Sequence, residues 1–205
     1  MKLVTAIIKT IFILFLFFLS CTRDKKDSVS ELKIPLVQSY EDVVFGNDSS
    51  ANTIFLFASY DCKYCRYLFL KTFPELKEKY LDSGLAKVVV KWVSFGENPS
   101  SLYALQAASC IAQYGSYDKF HELLLTNPSV IVSEDFRELI DDIMAENYEI
   151  AECIVSNKDF SYLKENVRLF RENNLSGTPC LIINNRVYSG YRPFKELDVI
   201  LKEEF

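Results

Sequence analysis

Two cysteines, Cys62 and Cys65, have the side chains and spacing for thiol chemistry. They lie in Ser59-Tyr60-Asp61-Cys62-Lys63-Tyr64-Cys65-Arg66, after the apolar run Thr53-Ile54-Phe55-Leu56-Phe57-Ala58. Leu68, Phe69, Phe73 and Leu76 follow at three- and four-residue steps, the period of a helix. The order therefore reads strand, short loop, helix, with Cys62 at the helix start. A helix start has unpaired N–H groups and the positive end of the dipole, and both favour an anion. A thiol held there loses its proton more readily, and the thiolate is the reactive form. Cys65, one turn later, is close enough to pair with Cys62. The same spacing also serves half of a zinc site or a structural disulfide. Zinc needs about four ligands, and the chain has no second C-x-x-C pair and a single histidine, His121. A C-x-x-C between strand and helix is the redox arrangement.

The elements around this pair follow from the rest of the chain. Ala86-Lys87-Val88-Val89-Val90-Lys91-Trp92-Val93 is β-rich and reads as a second strand after the Asp82-Ser83-Gly84 stop. From Pro99 the period is helical: Tyr103, Ala107, Cys110, Ile111 and Tyr114 share a stripe that Gly115 ends. Phe136, Leu139, Ile140, Ile143 and Met144 form another, with Glu134 and Asp135 in its first turn; Phe160, Leu163, Val167 and Phe170 form a third. Cys180-Leu181-Ile182-Ile183 and Arg186-Val187-Tyr188 flank Asn184-Asn185, a two-residue turn that tolerates positive φ. A final helix runs from about Pro193. Each helical stripe must pack on the sheet or on its neighbours.

Composition bounds the function. The chain has 205 residues, nearly half of them apolar, which suits a folded domain with a real core. With 23 Lys+Arg against 28 Asp+Glu it lacks the basic balance that nucleic acid demands. Met1-Lys2, the apolar run Ile11–Leu19 and Ser20-Cys21 form a secretory leader pattern, too short for a membrane span and interrupted by Lys9. Phe18-Leu19-Ser20-Cys21 resembles a bacterial lipobox, with Phe18 where Leu is usual. The alternatives are an uncleaved anchor helix or an ordinary signal peptide. On the lipobox reading residues 1–20 are a lipoprotein signal peptide, and Cys21 carries palmitate-type acyl chains that hold the protein to a membrane. Residues 21–40, with Arg23-Asp24-Lys25-Lys26-Asp27-Ser28, read as a solvated tether. Export places the cysteines where disulfides persist.

Four stretches together resemble the DsbA-like family of thiol–disulfide oxidoreductases. They are Phe57–Cys65; Ala107–Gly115 through Phe120-His121-Glu122-Leu123-Leu124; Glu152-Cys153-Ile154; and Ser176-Gly177-Thr178-Pro179 with Leu181–Asn184. They cover most of residues 50–205. Two positions depart from the family pattern: Lys63 stands where Pro often follows the first cysteine, and Cys180 where Thr usually follows the loop proline.

The resemblance implies an α/β chain with a thioredoxin-like fold and an inserted all-helical subdomain: 41–96 and 157–205 form the thioredoxin-like part, and 97–156 the insertion. It implies a catalytic, redox-active Cys62–Cys65 disulfide and no cofactor or metal. Thr178-Pro179 is expected to be a cis peptide facing the cysteines and to bind extended substrate; a trans turn proline is the alternative. Cys110 and Cys153 both fall in the insertion, as a second disulfide or as two buried thiols. Cys180 is an inert core thiol or a third, resolving one. Lys63 is a charge that lowers Cys62 or a solvated surface lysine. His121 is assigned to surface or interface packing. The partners implied are thiol-containing exported proteins, a membrane redox partner and the membrane itself through Cys21, in a bacterial envelope facing the periplasm or exterior. The reaction expected is oxidation, with a reductase or isomerase of the same fold as alternative. From another class, a non-catalytic surface lipoprotein that binds protein or metal is the competing reading.

Overall fold

The apolar run before Cys62 is an inner strand of the sheet, β3 (Asn52–Ala58), in a computed structural model that describes residues 30–96, 98–157 and 159–205. A helix, α1 (63–81), leads from it to β4 (Ala86–Trp92), which pairs parallel with β3 along its whole length, Asn52 opposite Ala86 and Ala58 opposite Trp92. Parallel neighbours need such a crossover. Pro74 interrupts α1. It has no N–H to give, and the preceding turn, Leu68–Thr72, is π-wound, with the Phe73 N–H bonded to the Leu68 carbonyl.

β5 (Cys180–Ile183) pairs antiparallel with β3 on its other side, and β6 (Arg186–Ser189) folds back on β5 through Asn184 and Asn185, whose φ values are 49° and 64°. The edges are β1 (Ser30–Glu31), beside β6, and β2 (Val43–Gly46), beside β4. The order is β1-β6-β5-β3-β4-β2.

Between β4 and α6 (Ser161–Glu172) come α2 (Pro99–Tyr114), α3 (Tyr117–Thr126), a 3₁₀ turn (Pro128–Val132), α4 (Glu134–Glu146) and α5 (Tyr148–Ser156). Asn98, Ser133 and Asn147 cap α2, α4 and α5 through their side-chain oxygens. α7 (Phe194–Glu204) closes the chain.

Strand alternation sorts the core into two layers. Ile54, Leu56, Ala58, Leu181 and Ile183 join the larger cluster, with α1 and the inserted helices; Phe57, Cys180, Ile182 and Val187 join Phe170 of α6 in the smaller.

The tether expected over 21–40 is overturned from Ser30 onward. Ser30 and Glu31 pair with Val187 and Arg186. The Lys33 and Ile34 N–H groups both donate to Asn173 Oδ1 at 2.8 Å, and Leu32 and Leu36 pack on the smaller cluster. The physical reason is Leu32 and Leu36, which supply apolar area that packs against Cys180, Ile182 and Val187 on β5 and β6. The leader over 1–20 and Cys21 lie outside the described residues.

Candidate active site

Cys62 is the N-cap of α1, in extended conformation at φ −85° and ψ 111°. Its Sγ accepts from the Cys65 N–H at 3.1 Å. The Cys62 N–H donates to the Ser59 carbonyl at 3.3 Å, closing the loop. Across the loop, the Thr178–Pro179 peptide is cis, and the Thr178 carbonyl accepts from the Cys62 thiol at 3.2 Å. The Gly190 N–H bonds the Pro179 carbonyl at 2.8 Å and fixes this segment to the end of β6. The sheet thus brings together four of the expected residues: Cys62, Cys65, Thr178 and Pro179.

Both cysteines are free thiols in this structure, and their environments differ. Cys62 is half-buried; Cys65 is 1% exposed. The Cys65 side chain donates to the Cys62 sulfur and is the main cause that draws its thiol down to about 6; burial opposes this, and contacts with the Thr178 side chain and the Cys65 and Tyr64 N–H groups add to it. The Thr178 carbonyl is an acceptor and works the other way, holding the thiol form. Burial, then the neighbouring Cys62 sulfur, pushes Cys65 far above the ordinary thiol range. One sulfur is thus a thiolate near neutral pH and the other keeps its proton. Lys63 is not among these causes: its ammonium lies over the Tyr67 ring, 5.5 Å from the centroid.

Cys110 and Cys153 join α2 to α5 as a disulfide with Cα atoms 5.8 Å apart. Cys180 occupies the smaller cluster, on the opposite face of the sheet from Cys65. Its sulfur is 3.9 Å from the Ser189 hydroxyl, and burial pushes it up to about 11. Among the described residues no group of three or more His, Cys, Asp or Glu is arranged to hold a metal.

His121 lies elsewhere than expected. It is buried behind the cysteine loop, with Nδ1 2.8 Å from the Tyr60 hydroxyl and 3.1 Å from that of Tyr117. Burial lowers it to about 3, so the ring is neutral. Tyr117 and His121 are four residues apart on α3, a spacing that placed them on one face; their partner in the cysteine loop had no sequence signal. Tyr64, Tyr67 and Tyr191 form an aromatic row on the rim, with ring centroids 6.1 and 6.2 Å apart.

This geometry has relatives. The family model described as thioredoxin matches residues 38–203, and the chain belongs to that family. A Rickettsia prowazekii (strain Madrid E) protein provisionally named a protein-disulfide oxidoreductase is 29% identical over 170 residues, covering 79% of this chain and 61% of its own length. The chain thus spans about three-fifths of the length of that relative. Disulfide bond formation protein D of Bacillus subtilis (strain 168) is 24% identical over 168 residues, 78% of this chain and 76% of that protein. The fold is similar to that of oxidised BdbD from Bacillus subtilis, with a TM-score of 0.66, 19% identity, and coverage of 86% of this chain and 96% of the other.

Proposed function

We propose that this protein is an exported thiol–disulfide oxidoreductase that oxidises thiols of extracytoplasmic proteins through Cys62 and Cys65. One observation carries the reading. Cys62 Sγ sits at a helix start, 3.1 Å from the Cys65 N–H and half-buried, while Cys65 is sealed beneath it. The names of its relatives, protein-disulfide oxidoreductase and disulfide bond formation protein, agree with it.

The oxidised protein holds a Cys62–Cys65 bond. A substrate thiolate attacks Cys62 Sγ; the S–S bond breaks, and Cys65 leaves with the electron pair and takes a proton. The substrate's second thiolate attacks its own sulfur in the mixed disulfide and expels Cys62 as a thiolate. The substrate ends as a disulfide and the protein as a dithiol, two electrons richer. A leaving sulfur of low pKa leaves faster, and the stabilised Cys62 thiolate favours the reduced protein, so the equilibrium lies toward substrate oxidation. Thr178 and Pro179 face the reacting sulfur and offer main-chain groups to an extended segment, a contact that ignores side-chain identity. A membrane redox partner takes the electrons back.

The location follows from the leader and from Cys21 as a lipid-bearing N-terminus, with the protein held at the periplasmic or outer side of a bacterial membrane. No helix among the described residues is long and apolar enough to cross one.

A Cys65→Ala variant tests both halves. In the cell it accumulates mixed disulfides of exported proteins on Cys62. Purified wild type, equilibrated with glutathione, should be reduced by it readily and should oxidise a reduced test protein. Recovery of no adducts, or a wild-type disulfide that resists glutathione, would reject the oxidase.

A further inference from the structure

Besides Cys65 and Ser59, the cysteine loop buries one side chain, and that side chain reaches into the inserted helices. Asp61, Lys63 and Tyr64 are exposed, whereas Tyr60 is 2% exposed. The Tyr60 ring stacks on Trp92 of β4 with centroids 4.6 Å apart. Its hydroxyl lies 2.8 Å from His121 Nδ1 and 3.1 Å from the Tyr117 hydroxyl, and Tyr117 lies 3.1 Å from the same nitrogen. Three polar atoms thus satisfy one another in a closed triangle inside an aromatic box, where Phe45, Phe69 and Trp92 pack around the imidazole. The main chain of Tyr60 points the other way: its carbonyl accepts from Arg66 Nη1 at 2.9 Å, in the first turn of α1.

We infer that His121 and Tyr117 are positioning residues for the reactive sulfur, holding Tyr60 so that Cys62 stays in register with the Cys65 amide. This rests on the redox reading of Cys62 and Cys65 and adds to it a dependence on α3, an element that carries neither cysteine. The chemistry is geometric. An N–H bond to sulfur weakens steeply as its angle and length drift, and Tyr60 is two residues from the sulfur. A neutral imidazole suits this task, because Nδ1 accepts a phenol proton while a charged ring could not. Burial of all three groups makes the triangle costly to break in part, since any member left alone is an unsatisfied polar group.

The experiment compares wild type with Tyr60→Phe, His121→Leu, His121→Asn and, as a control in α4, Phe136→Leu. Each is titrated for Cys62 thiolate absorbance and equilibrated with glutathione, and its thermal midpoint is recorded. Tyr60→Phe and His121→Leu should raise the Cys62 pKa and move the equilibrium toward the disulfide by about fivefold, the equivalent of one hydrogen bond to the sulfur. His121→Asn, which keeps an acceptor near the place of Nδ1, should recover most of that shift. Phe136→Leu should lower the midpoint alone. The inference is overturned if wild type exchanges with glutathione while Tyr60→Phe and His121→Leu stay within about twofold of it, less than half a hydrogen bond. An equal shift in Phe136→Leu overturns it as well, by showing that lost stability alone moves the equilibrium. No exchange in wild type overturns the redox reading, and this inference with it.

Discussion

The backbone amide of Cys65 is aimed at the sulfur of Cys62 from 3.1 Å, so the second cysteine of the motif helps ionise the first before any disulfide forms. Its thiol donates to the same atom. The pair is thus a small proton-sorting device, with the charge on the half-buried sulfur and the proton on the sealed one.

The pH dependence follows. Cys62 is an acid whose folded pKa, about 6, lies below its ordinary value of 9.0. Alkylation of the reduced protein by iodoacetamide should therefore rise through a titration near pH 6. Thiolate stabilisation of the folded, reduced form is fully present above pH 9 and lost as pH falls through 6. The thermal midpoint of reduced wild type, relative to Cys62→Ala, should drop over that interval.

Lys63→Glu should leave the Cys62 titration nearly where it is, within about half a pH unit, because an exposed charge that rests on a tyrosine ring is screened by solvent. A shift of a full unit would show that Lys63 acts on the thiolate after all.

Replacing Cys110 and Cys153 together by Ala should cost about 2–4 kcal/mol in denaturant unfolding, the loss of a covalent tie between α2 and α5. Alkylation of Cys62 in the folded variant should keep its wild-type pH profile.

Cys180→Ala should leave the glutathione equilibrium unchanged, and Cys180 in the folded protein should resist alkylation until denaturant is added. The thiol is buried on the far side of the sheet from Cys65 and is pushed up to about 11. A mixed disulfide mapped to Cys180 would contradict this placement.

Beneath the sheet, Lys91 Nζ lies 2.7 Å from Asp42 Oδ2, with side chains 3% and 0% exposed. Tyr162 donates to the other carboxylate oxygen at 2.7 Å, and the Ser39 N–H donates to Asp42 as well. Lys91→Met should cost about 3–5 kcal/mol, since it strands a buried carboxylate, and adding Asp42→Asn should recover much of that loss. Urea unfolding of the single and double variants measures both.

The sequence exposed what local pattern encodes. β3 was legible from five apolar residues in a row, the helix start from Cys62, the end of α2 from Gly115, and the β5–β6 turn from two asparagines. What it hid depends on partners far along the chain. β1 is two residues long and is held in place with help from Asn173, about 140 residues away. β2 has a single fully buried residue, Val43, and becomes a strand because β4 offers it an edge. Lys91 sits in an apolar run that says nothing of Asp42. His121 read as surface or interface packing, with no sign of Tyr117 or of Tyr60, 61 residues earlier, which closes the triangle. In the site, both cysteines were readable from their spacing, and the Thr178-Pro179 segment was expected there only through the family resemblance. The helix-start amides were readable from the same placement of Cys62; the Cys65 thiol as a donor was not, because that depends on how deeply the helix buries the second sulfur.

Access to the two sulfurs is lopsided: one meets solvent, the other has 1% of its surface open. A colliding thiol is offered a single target, so sterics settle the sequence of bond exchange before acidity contributes anything. That sequence should persist in acid solution where the incoming thiol is mostly protonated, slower but not reordered.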